Sequence, residues 1–151
     1  MHYLNPPMEI RNTYKFAAPP QAVWTLLMDP AAIQACVPGC KELRPAGDNR
    51  YQAEMTVGVA AVSGTFAATI TLSDTKPPES YQLTVDASGK PGFARGSAFI
   101  VLKETAEGTD VDVTAKAEVG GLIARVGQRL IDGVARMTMD RFFACLASRT
   151  S

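Results

Sequence analysis

An α+β fold, with a curved antiparallel sheet wrapped around one long C-terminal helix, is predicted by three features of this 151-residue chain. The first is the segment Gly121 to Arg149, which reads as one helix. Arg125, Gln128, Arg129, Asp132, Arg136 and Asp140 fall along one side of it, while Ile123, Gly127, Leu130, Ile131, Val134, Thr138 and Cys145 lie opposite. So broad an apolar surface must be covered, and a sheet is what the rest of the chain offers. The second feature is strict two-residue alternation in the segments before that helix. The third is a proline-marked pair of short helices placed between the first strand and the others.

The elements follow in order. Residues 1–7, with Asn5-Pro6-Pro7, have no periodicity and are expected to be a poorly ordered extension to one domain over 8–149. Met8, Ile10, Tyr14 and Phe16 alternate with Glu9, Arg11, Thr13 and Lys15 in an opening strand whose apolar face Asn12 interrupts. Pro19 and Pro20 suit the first turn of a helix through Val23, Trp24 and Leu27. Asp29-Pro30 is an N-cap followed by an N1 proline for a second short helix through Ile33, which Pro38-Gly39 stops. Alternation resumes in Tyr51 to Val59 and, after an expected bulge near Ser63-Gly64, in Phe66 to Leu72. Pro77-Pro78 turns the chain, and Tyr81 to Ala87, Phe93 to Leu102 and Val111 to Val119 supply further strands before Gly120-Gly121 releases the long helix.

Composition narrows the function classes. With 15 basic and 15 acidic residues and no basic cluster, the chain has no overall electrostatic footprint for nucleic acid or an anionic membrane. No apolar run reaches the roughly 20 residues that span a bilayer, and the first residues are not those of an export signal. A cytoplasmic protein is expected, with its three cysteines as free thiols. His2 is the only histidine and lies in the extension, so Ser-His-Asp and Cys-His constellations are excluded from the folded part. No metal site is expected either: histidine ligands are missing, and Cys36 with Cys40 supplies two thiolates where zinc takes four ligands.

Four spaced motifs now stand in sequence. They are Val23-Trp24 through Asp29-Pro30; Cys36-Val37-Pro38-Gly39-Cys40; Gly92-Phe93-Ala94-Arg95-Gly96; and Val119-Gly120-Gly121-Leu122-Ile123-Ala124 with Gly127-Gln128-Arg129-Leu130-Ile131-Asp132-Gly133. Together, over about Met8 to Leu146, they resemble the carbon monoxide dehydrogenase G-subunit family, part of the helix-grip group of START-like (SRPBCC, Bet v 1-like) domains. The resemblance implies a largely apolar cavity between sheet and long helix. It also implies an accessory role to a molybdenum-containing hydroxylase, in membrane recruitment or in electron transfer to quinone. Two departures stand out: Asn12 occupies a position where such proteins usually have glycine, and Ser151 follows the helix directly where some members continue into a membrane-anchoring tail. Contact with the inner face of the membrane is therefore expected to be peripheral at most.

Several residues carry two readings each. Cys36 and Cys40 are either a redox pair or small buried hydrophobes, and Cys145 is read as core. Pro38-Gly39 is a gate at a cavity mouth or an ordinary helix stop, and the Gly92 to Gly96 stretch makes room for a ligand or bends the sheet. Alternation groups Phe93, Arg95, Ser97, Phe99 and Val101 on one face, with inside and outside unresolved. If that face is outward, Phe99 and Val101 form an exposed apolar pair suited to a protein contact. Arg141 shares the helix side of Ile123, Leu130 and Val134, where it either snorkels to solvent or meets a polar ligand head.

What fills the space beneath the helix decides the class. Met55, Val57, Phe66, Ile70, Leu130 and Val134 can interlock as a dry core, but Ala53, Ala68, Gly96, Ala98, Ala115, Ala117 and Gly127 remove volume from the same interior. The first hypothesis is a non-catalytic module without an intrinsic cofactor that binds an apolar molecule, a quinone or something lipid-like. Its candidate contacts are Pro38, Gly39, Met55, Val57, Phe66, Ile70, Phe93, Leu130, Val134 and Arg141. The second is a protein-docking or maturation subunit with an incidental cavity; a homodimer is a further option. The third is a small cyclase or hydrolase of the same superfamily. That one needs an inward acid, whereas alternation turns Glu54, Asp86, Asp110, Asp112 and Glu118 outward.

Overall fold

The computed structural model describes residues 8–58 and 63–150. β1 (Met8–Phe16) leads into two short helices, α1 (Pro20–Leu27) and α2 (Pro30–Cys36). Six strands follow: β2 (Cys40–Pro45), β3 (Arg50–Val57), β4 (Gly64–Lys76), β5 (Ser80–Gly89), β6 (Gly92–Thr105) and β7 (Gly108–Gly120). A 3-10 turn at Gly121–Val126 then precedes α3 (Gln128–Ser148). The strands form one antiparallel seven-stranded sheet in the order β1-β7-β6-β5-β4-β3-β2, so every neighbour from β2 to β7 is a hairpin partner and β1 returns beside β7. The α+β layout expected from the sequence is present, with one strand more than the alternation showed.

That extra strand is β2. In Cys40–Pro45 Leu43 is the buried side chain, and its neighbours Lys41, Glu42 and Arg44 are exposed, so the segment carries almost no period-two signal. It forms because pairing with β3 satisfies its backbone at the sheet edge. The expected extension over 1–7, Val59 of the expected third strand and the residues just before Ser63 lie outside the described residues. Gly64 begins β4, opposite Val57 of β3.

The proline signals act as read. Asp29 caps α2 by accepting the Ala31 N–H at 3.0 Å, and Pro30 and Pro20 occupy first-turn positions. α1 turns Val23, Trp24 and Leu27 into a cluster with Phe16, Tyr81, Ile100, Leu102, Val111, Phe143 and Leu146 at one end of the sheet. Full burial of each large side chain there stabilises by roughly 1.5–3 kcal/mol. Trp24 meets Tyr81 edge-on at 5.4 Å between ring centres.

The C-terminal segment is not one continuous helix. Gly127 has φ +100°, a conformation that ends the 3-10 turn and starts α3 at Gln128. Ile123 is anchored before that break by its N–H to the Pro91 carbonyl at 2.9 Å. The cysteines also depart from expectation. Instead of three free thiols, the structure joins Cys36 of α2 to Cys145 of α3, with Cα atoms 5.4 Å apart, and leaves Cys40 as the free thiol. The redox pair considered for Cys36 and Cys40 is therefore not the pair that closes.

Candidate functional site: the inward face of the sheet and the C-terminal helix

The inward face of the sheet is built from rows of cross-strand partners. One row runs Ala53, Ala68, Ala87, Ala94; a second runs Tyr51, Ile70, Val85, Gly96, Ala117; a third runs Leu72, Leu83, Ala98, Ala115. Alanine, glycine and valine dominate the middle of these rows, and bulk is concentrated at the two ends. Phe16, Trp24, Tyr81 and Phe143 close one end, while Met8, Ile10, Phe66, Ile123 and Ile131 form a separate cluster at the other. A third small cluster, Leu43, Ala53 and Ala68, lies beside β2.

α3 contributes to both clusters, Phe143 and Leu146 to the first and Ile131 to the second. Its close backbone neighbours are β1, α2 and the 3-10 turn, so it rests toward the β1 edge. Phe143 stacks on Tyr14 of β1 with ring centres 4.3 Å apart, and Asp140 accepts the Tyr14 hydroxyl at 2.7 Å and the Asn12 amide at 3.4 Å. That seam explains Asn12, the polar residue interrupting an apolar strand face. Met55, Val57, Ile70, Leu83, Val85, Ala87, Ala98, Ala115 and Ala117 face inward and pack against these clusters but are only partly buried. A tightly interlocked core would bury them.

The sequence-derived candidates separate into groups. Met55, Val57, Phe66 and Ile70 come together on β3 and β4, with Met55 directly opposite Phe66, and Phe66 is buried. Pro38 and Gly39 lie where α2 passes into β2. Gly39 has φ +79°, its carbonyl accepts the Thr56 N–H at 2.9 Å, and a Cβ there would run into the Thr56 carbonyl. Tight backbone packing accounts for this glycine. Phe93 is on the opposite face of the sheet, beside Gly120, with the Arg95 guanidinium over its ring at 4.9 Å. Arg95 also pairs with Asp86 at 3.7 Å, so its face is the outward one. Leu130 is 37 % exposed and Arg141 is exposed, both on the side of α3 turned away from its buried residues Ile131, Phe143 and Leu146, with Val134 on the flank.

Of the polar side chains that reach the interior, Tyr14 bonds Asp140 and Thr109 bonds the Ala18 carbonyl. Burial, then the bond to Asp140, pushes the Tyr14 phenol up to about 12, so it stays protonated as a donor. Burial likewise raises the Tyr81 phenol and the Cys40 thiol, which disfavours a Cys40 thiolate. Glu54, Asp86, Asp112 and Glu118 lie on the outer face; of these, Asp112 accepts Thr13 Oγ1 at 2.7 Å and pairs with Lys103 at 3.0 Å, which lowers its carboxyl. A polar recess of about 870 Å³ is also on that face, floored by Gln52, Thr69, Thr71 and Thr84 and edged by Arg44, Arg50 and Arg95. Among the described residues no three His, Cys, Asp or Glu side chains gather as a metal site. No described helix is long and apolar enough to cross a membrane. Two features left little trace in the sequence. The disulfide joins residues 109 positions apart, a separation that leaves no local signal, and the Tyr14–Asp140 seam left only the out-of-pattern Asn12.

A family model for the G-type subunit of carbon monoxide dehydrogenase (CoxG) matches residues 13–151. A crystal structure of a conserved protein from Geobacillus kaustophilus is 35% identical, covers 95% of each chain and superposes with a TM-score of 0.91. A START superfamily protein from Mycobacterium smegmatis, 13% identical over 94% of this chain and 96% of its own, gives a TM-score of 0.71. Ara h 8.0201, 10% identical over 96% of this chain and 98% of its own, gives 0.71 as well. The latter two share the fold, which is the START/Bet v 1-like helix-grip arrangement expected from the motifs. No curated protein matches the chain in sequence.

Proposed function

The chain belongs to the CoxG family of carbon monoxide dehydrogenase subunits, and from that premise we propose that it is a non-catalytic accessory protein of a molybdenum hydroxylase, holding a quinone or lipid-like molecule between sheet and α3. The bound molecule serves electron transfer to quinone or recruitment of the enzyme to the membrane. One observation supports the reading: the inward alanine, glycine and valine side chains in the middle of the sheet are only partly buried, where a sealed core would bury them fully. Apolar walls of low relief accept a flat or chain-like apolar molecule, which gains by leaving water. Met55, Val57, Phe66 and Ile70 form one wall, and Leu83, Val85, Ala98 and Ala117 the floor. Pro38 and Gly39 border the β2 side, and Val134 borders the helix. Leu130 and Arg141, on the outer side of α3, reach a ligand only if its head emerges there.

Native mass spectrometry of freshly purified protein and thermal unfolding with a menaquinone analogue test this. A ligand at about 100 times its Kd stabilises by about 2.7 kcal/mol, which for a chain of this length raises Tm by roughly 5–10 °C. A fatty acid run in parallel distinguishes lipid from quinone. No co-purifying molecule and no shift with either compound overturns the proposal.

A second reading has its own observation. Phe99 is 45 % exposed on the outer face of β6, with Val101 one alternation further on, which fits docking of a partner protein there. Phe99→Ser with Val101→Ser then abolishes capture of hydroxylase subunits and leaves the thermal shift with the menaquinone analogue unchanged. Undiminished capture refutes it.

A further inference from the structure

α2 is a seven-residue helix held in place by little apolar side chain. Its buried residues are Ala32 and Cys36, both small. Ile33 is partly buried against the cluster of Leu43, Ala53 and Ala68, which continues into Met55, Ile70 and Val85. Burial of such small side chains fastens a short helix weakly, and a segment so attached opens locally before the rest of the molecule does. On one side α2 is tied to β2, where Gln34 Oε1 accepts the Leu43 N–H at 3.1 Å and Gln34 Nε2 donates to the Lys41 carbonyl at 3.4 Å. β2 is itself an edge strand. On the other side the covalent fastening of α2 is its bond from Cys36 to Cys145 of α3. α2 with the Pro38-Gly39 turn and β2 thus forms a small flap beside the wall of β3 and β4, tied down across its far side by one bond.

We propose that the Cys36–Cys145 bond is a reversible redox latch: closed, it holds α2 against α3 and over the β3–β4 wall; opened by a dithiol reductant, it releases α2 and the Pro38-Gly39 turn so that ligand exchanges with the inward face. What passes the flap rests on the ligand reading; the latch rests on how α2 is attached. The chemistry is thiol–disulfide exchange. A thiolate of the dithiol attacks Sγ of Cys145, a partly exposed residue, whereas Cys36 is only 4 % exposed. The bond between the two protein sulfurs breaks, its electron pair leaves on Cys36 Sγ, and that sulfur takes a proton. The second thiolate of the reductant then displaces Cys145, giving two protein thiols and one reductant disulfide; a small disulfide of the same kind drives the reverse. Cys40 stays out of the exchange, because its packing beside Leu43 and Ala53 raises its thiol and leaves little thiolate to attack. A bond that served only to staple the fold would yield to reductant solely in the unfolded chain.

Cys40 reports the latch without any ligand. In a variant carrying Cys36→Ala with Cys145→Ala it is the one cysteine left. Alkylation of native protein by iodoacetamide, followed by mass spectrometry, should be at least about 10-fold faster at Cys40 in that variant than in oxidised wild type. Amide hydrogen exchange should rise across residues 30–45 and stay at the wild-type level in β5 to β7, which separates local release from global unfolding. Wild type held in dithiothreitol gives the same exchange comparison should the variant fail to fold. Dissociation of the menaquinone analogue should quicken by a similar factor on reduction. The proposal is overturned if native wild type keeps its bond in dithiothreitol and loses it only in urea, or if the open and closed forms exchange alike across 30–45. Equal dissociation of the analogue from both forms also overturns it, while leaving the ligand reading intact. Faster Cys40 alkylation with no analogue bound by either form upholds the release of α2 and counts against the ligand reading alone.

Discussion

Removing the Cys36–Cys145 bond should cost several kcal/mol of stability. The bond closes a loop spanning 109 residues. Restricting an unfolded chain over about 100 residues removes entropy equivalent to about 4.7 kcal/mol in the loop-closure treatment, and measured bonds more often contribute about 2–4 kcal/mol. Cys145→Ala takes away the cross-link and little packing volume, so a loss of about 3–4 kcal/mol is expected, lowering Tm by roughly 6–16 °C. Because the effect acts mainly on the unfolded chain, the urea m-value should rise as well, since an uncrosslinked chain exposes more surface. Urea unfolding with and without a dithiol reductant measures both quantities, and wild type under reduction should match Cys145→Ala. Thiol titration of urea-unfolded protein gives an independent count: Cys40 alone before reduction, all three cysteines after. Three reactive thiols without reductant, or identical midpoints for wild type and variant, would refute the reasoning.

Tyr14→Phe removes the hydroxyl that Asp140 accepts at 2.7 Å and should cost about 1–2 kcal/mol in urea unfolding; no change would mean the seam is idle. Since the folded phenol lies at about 12 against 10.0 for an unperturbed tyrosine, the unfolded chain ionises first. The stability Tyr14 confers is therefore complete below about pH 10 and lost as pH climbs toward 12, a decline that alkaline denaturation should show reduced in Tyr14→Phe. Gly39→Ala forces a Cβ against the Thr56 carbonyl at positive φ and should destabilise by about 2–4 kcal/mol or leave the chain insoluble; a wild-type melt would contradict the tight approach of α2–β2 to β3. Val85→Phe adds a ring to the half-exposed floor and should abolish the menaquinone-analogue shift while changing stability by under about 1.5 kcal/mol. A full shift in that variant would place the ligand elsewhere.

Local chemistry was enough for much of the fold. Period-two runs located β1 and β3 to β7, Asp29-Pro30 located the start of α2, and alternation turned Glu54, Asp86 and Asp112 outward, where the structure has them. These signals work because a strand or a cap is decided within a few residues. The misses share one cause. β2 has one buried residue and exists through its pairing with β3, and Gly127 breaks a helix that apolar spacing alone would continue. Likewise, alternation grouped Phe93 with Arg95 correctly but gave no means of saying which face met solvent.

By itself, then, the order of residues determined the α+β class, six of seven strands, both proline-led helices and the family. Only the tertiary structure decided that α3 leans toward β1, that Cys36 meets Cys145, and that Leu130 and Arg141 face outward. Each of these depends on which distant segments meet once long loops close, and that is a property of packing among all the elements together, which no window of neighbouring residues contains.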